Sequence, residues 1–174
     1  EDGIRDKLVT GVQTCALPIC VTINSTSPGT VVVNATTTFT VSTLSLTRAT
    51  GTGGNNSADA KKYYVKAKIS ISPDAINQVG EQHTFTVTVQ QDDGKAANQD
   101  GGDATTGFGP VPDGTDVNVT FNPATGFTLV EDKCNLAGAG TGTQSGTCTV
   151  KINSDEAGEF TATAAADVNV GTVN

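Results

Sequence analysis

The stretch Thr84-Phe85-Thr86-Val87-Thr88-Val89 alternates threonine with large apolar residues. Successive side chains of a β-strand point to opposite faces, so this alternation predicts a strand with one face in a core. The same pattern recurs in the stretch Cys148-Thr149-Val150-Lys151-Ile152. Strands that each have one apolar face bury those faces against one another, usually in two packed antiparallel sheets. Together the two stretches predict a β-sandwich.

The composition agrees with many short strands. The chain has 29 threonines and 20 glycines but no Trp or Met. Thr and Val favour half-buried pleated surfaces, while Gly, Asn and Asp favour turns. No stretch has helical apolar periodicity over three turns, and no run of 18 apolar residues predicts a membrane span. The net charge is −8, whereas nucleic-acid-binding proteins usually have a positively charged surface. We therefore predict an all-β protein without nucleic acid as a partner.

Residues 1–19 have a different character from the rest of the chain. The run EDGIRD, two further residues and the run VTGVQTCALPI resemble the in-frame translation of a short-read sequencing adapter. A scar of this kind is excluded from fold reasoning. We expect residues 1–19 to be an artefact rather than native sequence, and the identity of the adjoining Cys20 is open. The alternative is a native N-terminal segment.

The sequence contains one internal repeat. The triplet Ile23-Asn24-Ser25 recurs as Ile152-Asn153-Ser154, and at the same offset of 129 residues Gly29 falls on Gly158. This predicts that residues 20–46 are the last strands of a truncated unit, followed by a Gly- and Asn-rich connector over 47–61. Residues 62–174 would then form a second sandwich, with a first strand over 63–71 and a last one at 168–170. Chance similarity between Thr-rich strands is the alternative.

Two longer segments resemble a known family. They are ISPDAINQVGEQHTFTVTVQQDDGK, residues 71–95, and GTCTVKINSDEAGEFTATA, residues 146–164, followed by VNV at 168–170. They resemble the bacterial immunoglobulin-like repeats of invasin/intimin type, the stalk modules of large bacterial surface proteins. The resemblance implies an immunoglobulin-like antiparallel β-sandwich with a structural or adhesive role and without an active site. The polar loop 91–114 departs from that pattern by its length.

Cys134 and Cys148 are the most specific indication of side-chain chemistry in the sequence. They lie 14 residues apart in a Gly- and Thr-rich stretch that closes easily. In an exported protein two such cysteines are expected to pair. The alternative is a pair of reduced thiols. A zinc site would need four ligands, and the single histidine lies far away in the sequence.

An acidic loop and the single histidine are the other candidates for a functional role. The acidic loop contains Asp92, Asp93, Asp100 and Asp103, which suggest structural calcium or ordinary Asp-Gly turn chemistry. His83 opens a strand, and no nucleophile motif accompanies it. We therefore predict no catalytic residue, no cofactor and no metal beyond this calcium possibility.

The sequence favours a non-catalytic spacer in a tandem-repeat protein of the bacterial surface or the secreted fraction. Its partners would be neighbouring repeats and an unknown host or surface ligand. A second hypothesis is an adhesin domain that binds a ligand through loop 91–114, with the contact surface at residues 108–112. A third is an accessory module of a secreted polysaccharide-active enzyme, for which Tyr63 and Tyr64 are the candidate aromatic platforms.

Overall fold

The computed structural model describes residues 20–171; the predicted adapter, residues 1–19, lies outside the described residues. In the described part every paired strand is antiparallel, and the only helical segment is the short 3-10 turn Leu136–Gly138. The predicted all-β class is therefore correct. In chain order the strands are β1 Gly29–Val33, β2 Thr36–Val41, β3 Leu44–Ala49, β4 Ala60–Tyr64, β5 Lys66–Ser72, β6 His83–Asp92, β7 Gly109–Pro110, β8 Asn118–Asn122, β9 Thr128–Asp132, β10 Thr147–Asn153 and β11 Thr161–Ala165.

The main sheet is built on the two stretches whose alternation predicted it. Its order is β5-β6-β10-β9, and the two-residue β7 pairs with the outer part of β6. In the β6–β10 pair, Val87 lies opposite Cys148 and Phe85 lies opposite Val150. Val87 and Val150 are fully buried. The threonines between the buried positions of β6 are half-buried, because β6 lies in the interior of the sheet.

A second, smaller sheet covers the apolar face of the main one. It contains β8 and β11, which pair along their full length. Val119 and Phe121 of β8 and Ala164 of β11 pack against the central cluster. Two layers with a Val-rich core between them are consistent with the predicted β-sandwich, while an immunoglobulin-like connectivity stays a prediction. The buried cluster consists of Val87, Val89, Val111, Val117, Cys134, Cys148 and Val150.

The N-terminal strands form two separate pairs. β1 pairs with β4, and β2 pairs with β3 through a turn at Ser42, where φ is +57°. All six residues of β2 are exposed, and in β3 only Leu46 and Ala49 are half-buried, so this hairpin has little covered surface within residues 20–171. The predicted connector 47–61 overlaps β3 and β4, and the strand-free part of it lies between them. The division of the chain into two repeat units stays a prediction.

The predicted strand over 63–71 is two strands in the structure. β4 pairs with β1, whereas β5 pairs with β6, and only Val65 separates them. The alternation continues unbroken across Val65, so the pattern alone did not show the change of partner. The predicted strand at 168–170 is also wrong, because no strand follows Ala165 in the described residues. Val168 nevertheless packs against the core.

Candidate functional site

The candidate site lies where the N-terminal strands meet one end of the main sheet. We call β1 and β4 the ribbon, and residues 93–108 the junction loop. The junction loop begins directly after β6, whose last residue Asp92 pairs with Lys66, the first residue of β5. Since β4 leads into β5 through Val65 alone, the chain itself brings the ribbon to this loop.

Aspartate side chains order the first part of the junction loop. Oδ1 of Asp92 accepts a hydrogen bond from the Gly94 N–H at 2.9 Å. Oδ1 of Asp93 accepts one from the Lys95 N–H at 3.0 Å, and its Oδ2 accepts the Asp103 N–H at 3.0 Å. Bonds from a short acidic side chain to nearby backbone N–H groups are typical of Asx turns. The bond from Asp93 to Asp103 closes the loop across ten residues.

The four aspartates considered for calcium do not form one ligand set. Asp93 and Asp103 lie together, but Asp100 faces the ribbon and pairs with Lys61. Within residues 20–171 no group of three or more His, Cys, Asp or Glu residues could hold a metal ion. The four aspartates are close in the sequence, but they do not all lie close to one another in the structure.

The ribbon contacts the backbone of the junction loop at Gly94. Oγ1 of Thr30 donates a hydrogen bond to the Gly94 carbonyl oxygen at 2.8 Å. Gly94 has a φ of +71°, and a Cβ at this position would collide with the Tyr64 carbonyl oxygen and lie 2.9 Å from the Gly29 nitrogen. Glycine alone combines this left-handed conformation with so close an approach. The contact thus depends on the absence of a side chain at position 94.

Charged groups complete the contact between ribbon and loop. Nζ of Lys61 lies 2.7 Å and 2.9 Å from the two carboxylate oxygens of Asp100. The hydrogen bond from Lys61 lowers the pKa of Asp100 and raises the pKa of Lys61. Nζ of Lys95 donates to the Asp100 carbonyl oxygen at 3.0 Å and lies 4.8 Å from the centroid of the Tyr63 ring. The last distance is within the range of a cation–π interaction.

Residues 108–112, predicted as a possible ligand-contact surface, are only partly accessible: Pro110 and Pro112 are exposed, whereas the other three are buried or half-buried. Gly109 and Pro110 form β7 and pair with β6. Val111 is 2% exposed and belongs to the buried cluster. Phe108 is half-buried, and Nζ of Lys68 lies 4.3 Å from the centroid of its ring. These residues therefore have structural contacts of their own.

The tyrosines considered as carbohydrate platforms both lie in β4. Each is half-buried. Tyr63 faces Lys95 across the junction, and Nζ of Lys62 lies 5.8 Å from the ring centroid of Tyr64. Tyr63 is thus a contact residue between ribbon and loop.

Cys134 and Cys148 form a disulfide with a Cα–Cα distance of 5.1 Å. Both are buried, at 0% and 6% exposure, and belong to the core cluster. The bond ties the loop after β9 to the start of β10. Among the described residues Cys20 is free and exposed.

His83 lies at the opposite end of the main sheet, in a groove of about 390 Å³. Its Nε2 lies 3.1 Å from the Pro73 carbonyl oxygen. Its ring packs edge-on against Phe85 with 4.3 Å between centroids, at the start of a row of aromatic rings. The environment of His83 is therefore that of a packed strand-end residue. The row continues through Phe121, Phe127 and Phe160.

Sequence reasoning did not foresee the junction. Thr30 and Gly94 are 64 positions apart, and nothing in the sequence predicts their contact. The one available indication was Asp-Gly at 93–94, which predicts a turn but not what packs against it.

No protein-family model, curated protein or solved structure matches this chain. In the part of the chain that the structure describes, no helix is long and apolar enough to cross a membrane.

Proposed function

We propose that this chain is a non-catalytic spacer module of a tandem-repeat protein on the bacterial surface or in the secreted fraction. In this role the β-sandwich is a stiff unit, and the junction fixes its orientation relative to the strands that precede it. Invasin/intimin-type repeats are the family we propose for it, on the resemblance of residues 71–95 and 146–164. Its partners would be neighbouring repeats and a surface or host ligand of the parent protein.

The contact between ribbon and junction loop is the observation that carries this proposal. A hydrogen bond, an ion pair and a glycine contact join elements that lie far apart in the sequence. A flexible tether between units would need none of these contacts. The combination instead favours a defined angle, which is what a spacer requires.

The disulfide supports an exported location, because such bonds persist mainly in oxidising compartments. It also limits local opening of the loop between β9 and β10. An adhesion-related role of the parent protein is part of the same proposal.

The two rival functions receive less support. A ligand-binding adhesin would use loop 91–114 with residues 108–112 as the contact surface; Pro110 and Pro112 are exposed, but Val111 between them is buried and β7 is paired with β6. A carbohydrate platform would need a free tyrosine face, and Lys95 lies over Tyr63.

The parent gene, sequenced beyond both ends of this chain, tests the proposal. A spacer predicts several further units similar to residues 62–174. A catalytic domain beside this chain without further repeats would overturn the spacer function and favour the accessory module. A single divergent unit at the tip of an array would favour the adhesin.

A further inference from the structure

A turn just ahead of β1 recurs just ahead of β11. In the first turn, Oγ of Ser25 donates a hydrogen bond to the Ser27 carbonyl oxygen at 2.7 Å and accepts the Ser27 N–H at 3.2 Å. In the second turn, Oγ of Ser154 makes the same two hydrogen bonds with Glu156, at 2.9 Å and 3.2 Å. Ser25 and Ser154 are 129 positions apart, as are Ser27 and Glu156, and this is the offset of the repeat in the sequence. The local structure thus supports the predicted repeat.

The residues after the first turn are covered by strand β4 of the ribbon and by the junction loop. Gly29 pairs with Tyr64. The backbone nitrogen and oxygen of Gly29 lie 2.9 Å and 3.0 Å from the position that a Cβ at Gly94 would take. Oγ1 of Thr30 donates a hydrogen bond to the Gly94 carbonyl oxygen. Pro28 and Gly29 are half-buried there.

The residues after the second turn are uncovered. Ala157, Gly158 and Glu159 fall on residues 28–30 at the same offset, and all three are exposed. Their peptide groups make no hydrogen bond to the described residues. They line the groove of about 390 Å³ at the end of the main sheet opposite to the junction. Within residues 20–171, nothing makes with the second turn the contact that β4 and the junction loop make with the first.

The charges favour another β4 and junction loop as the occupant of this surface. Glu159 takes the position of Thr30, and within residues 20–171 it is in no ion pair. In the existing contact Thr30 lies opposite Tyr63, and Nζ of Lys95 lies 4.8 Å from the centroid of the Tyr63 ring. Glu159 cannot donate the hydrogen bond that Thr30 makes, but its carboxylate would come close to such a lysine. Opposite charges would therefore meet.

We propose that residues 157–160 form the docking surface for the next repeat unit of the parent protein, a unit similar to residues 46–174. Strand β4 and the Gly94 position of that unit pack on the residues after the second turn, as they pack on the residues after the first turn in this chain. The contact is heterologous, because it joins different surfaces of the two units, and contacts of this kind build open arrays. The inference rests on the proposed spacer function, for which it names the surface between neighbouring units.

The register of the docked strand follows from the offset. Gly29 lies opposite Tyr64 in this chain, so Gly158 lies opposite the Tyr64 position of the next unit. Such a contact adds a strand to backbone groups that are unpaired, which is a common mode of recognition between β proteins. A separate copy of the whole chain cannot dock in this way, because its own β1 occupies its β4.

A chain extended after Asn174 by a second copy of residues 46–174 tests the docking, because this extension preserves the offset of 129 positions between the units. Hydrogen exchange is measured by NMR with the isotope label in the first copy only. Amides 157–162 of the first copy should exchange at least about tenfold more slowly in the extended protein than in the single chain, because docking closes them to water. Unchanged exchange at these amides would overturn the proposal.

Gly94→Ala in the second copy alone should abolish this slowing, because its Cβ would collide with the docked backbone as it would with Gly29. Gly101→Ala in the second copy is the matched control, since Gly101 has the same φ of +71° and open space around it. It should leave the slowing unchanged. Equal exchange in the two variants would count against the proposed contact.

Glu159→Lys in the first copy tests the charges. It should reduce the slowing, and the reduction should shrink in high salt, because exposed charges are screened. Asp167→Lys is the matched control, because it makes the same change of charge at an exposed residue outside the docking surface. If Gly94→Ala prevents the second copy from folding, Glu159→Lys still tests the docking, since it alters only an exposed side chain. The same effect in Asp167→Lys would reject the role of Glu159.

Failure of the docking and failure of the spacer function are distinguishable. Further repeats in the parent gene, together with unchanged exchange in the extended protein, would reject the docking alone. A parent gene without further repeats would reject the spacer function, whatever the exchange experiment shows.

Discussion

The Lys61 ammonium lies 2.7 Å from one carboxylate oxygen of Asp100 and 2.9 Å from the other, so an ion pair joins β4 to the junction loop. Both side chains are 44% exposed. An exposed pair contributes little to stability and is screened by salt. Its main effect is to favour one orientation of the ribbon against the loop.

The pKa of Asp100 should depend on Lys61. The hydrogen bond from Lys61 lowers the pKa of Asp100, so the pair stabilises the fold above the ordinary pKa of an aspartate and is lost as pH falls through the lowered value. In Lys61→Gln we expect the pKa of Asp100 to move back up. Carboxyl NMR titration of both proteins measures this, and an identical Asp100 pKa in the two would rule the ion pair out.

Gly94→Ala should separate the ribbon from the junction loop. The new Cβ would meet the Tyr64 carbonyl oxygen and the Gly29 nitrogen. Gly101→Ala is the matched control, because Gly101 has the same φ of +71° and open space around it. Both changes carry a backbone cost of about 1 kcal/mol. Only Gly94→Ala should speed hydrogen exchange of the β1 and β4 amides; equal exchange in the two variants would argue against a packed junction.

Reduction of the disulfide should destabilise the sandwich. Cys134 and Cys148 close a loop of 14 residues, which corresponds to about 3 kcal/mol of unfolding free energy in the chain-entropy model. Urea unfolding with and without reductant measures the difference.

Peptide mapping after alkylation provides the control for that experiment. Cys20 is exposed and should be labelled without reduction, whereas the two core cysteines should be labelled only after it. Labelling of Cys134 in the unreduced native protein would contradict the pairing.

Val150→Ala should cost about 2 to 3 kcal/mol of unfolding free energy, because the side chain is fully buried in the sheet centre and its loss leaves a cavity. Val130→Ala in the neighbouring strand β9 is the control. Val130 is 43% exposed, so we expect less than about 1 kcal/mol there. Denaturant unfolding compares the two, and similar losses would mean that the described core is incorrect.

Strands β6 and β10 were predictable because their apolar and polar residues alternate, and the apolar residues all lie on the one face of the sheet that is buried. The pairing of β4 with β1 was not predictable in this way. Alternation reports which face of a strand is apolar, but it does not identify the strand on either edge. For the same reason the sequence predicted a strand through Val65 and missed the change of partner there.

The candidate site was predictable only in part. Asp-Gly steps correctly predicted turns around Asp93, and the spacing of the cysteines suggested their pairing. Thr30, Lys61 and Gly94 come together only through the fold, because their contacts depend on where β4 and β6 end.

The direct passage from β4 into β5 has a mechanical consequence. The chain remains extended from Ala60 to Ser72, apart from the single residue Val65, with β1 along its first half and β6 along its second. A pulling force directed along this run acts parallel to the strands. The hydrogen bonds of each pair then bear the load in shear and must break together, instead of opening one at a time as in a hairpin peeled from its end.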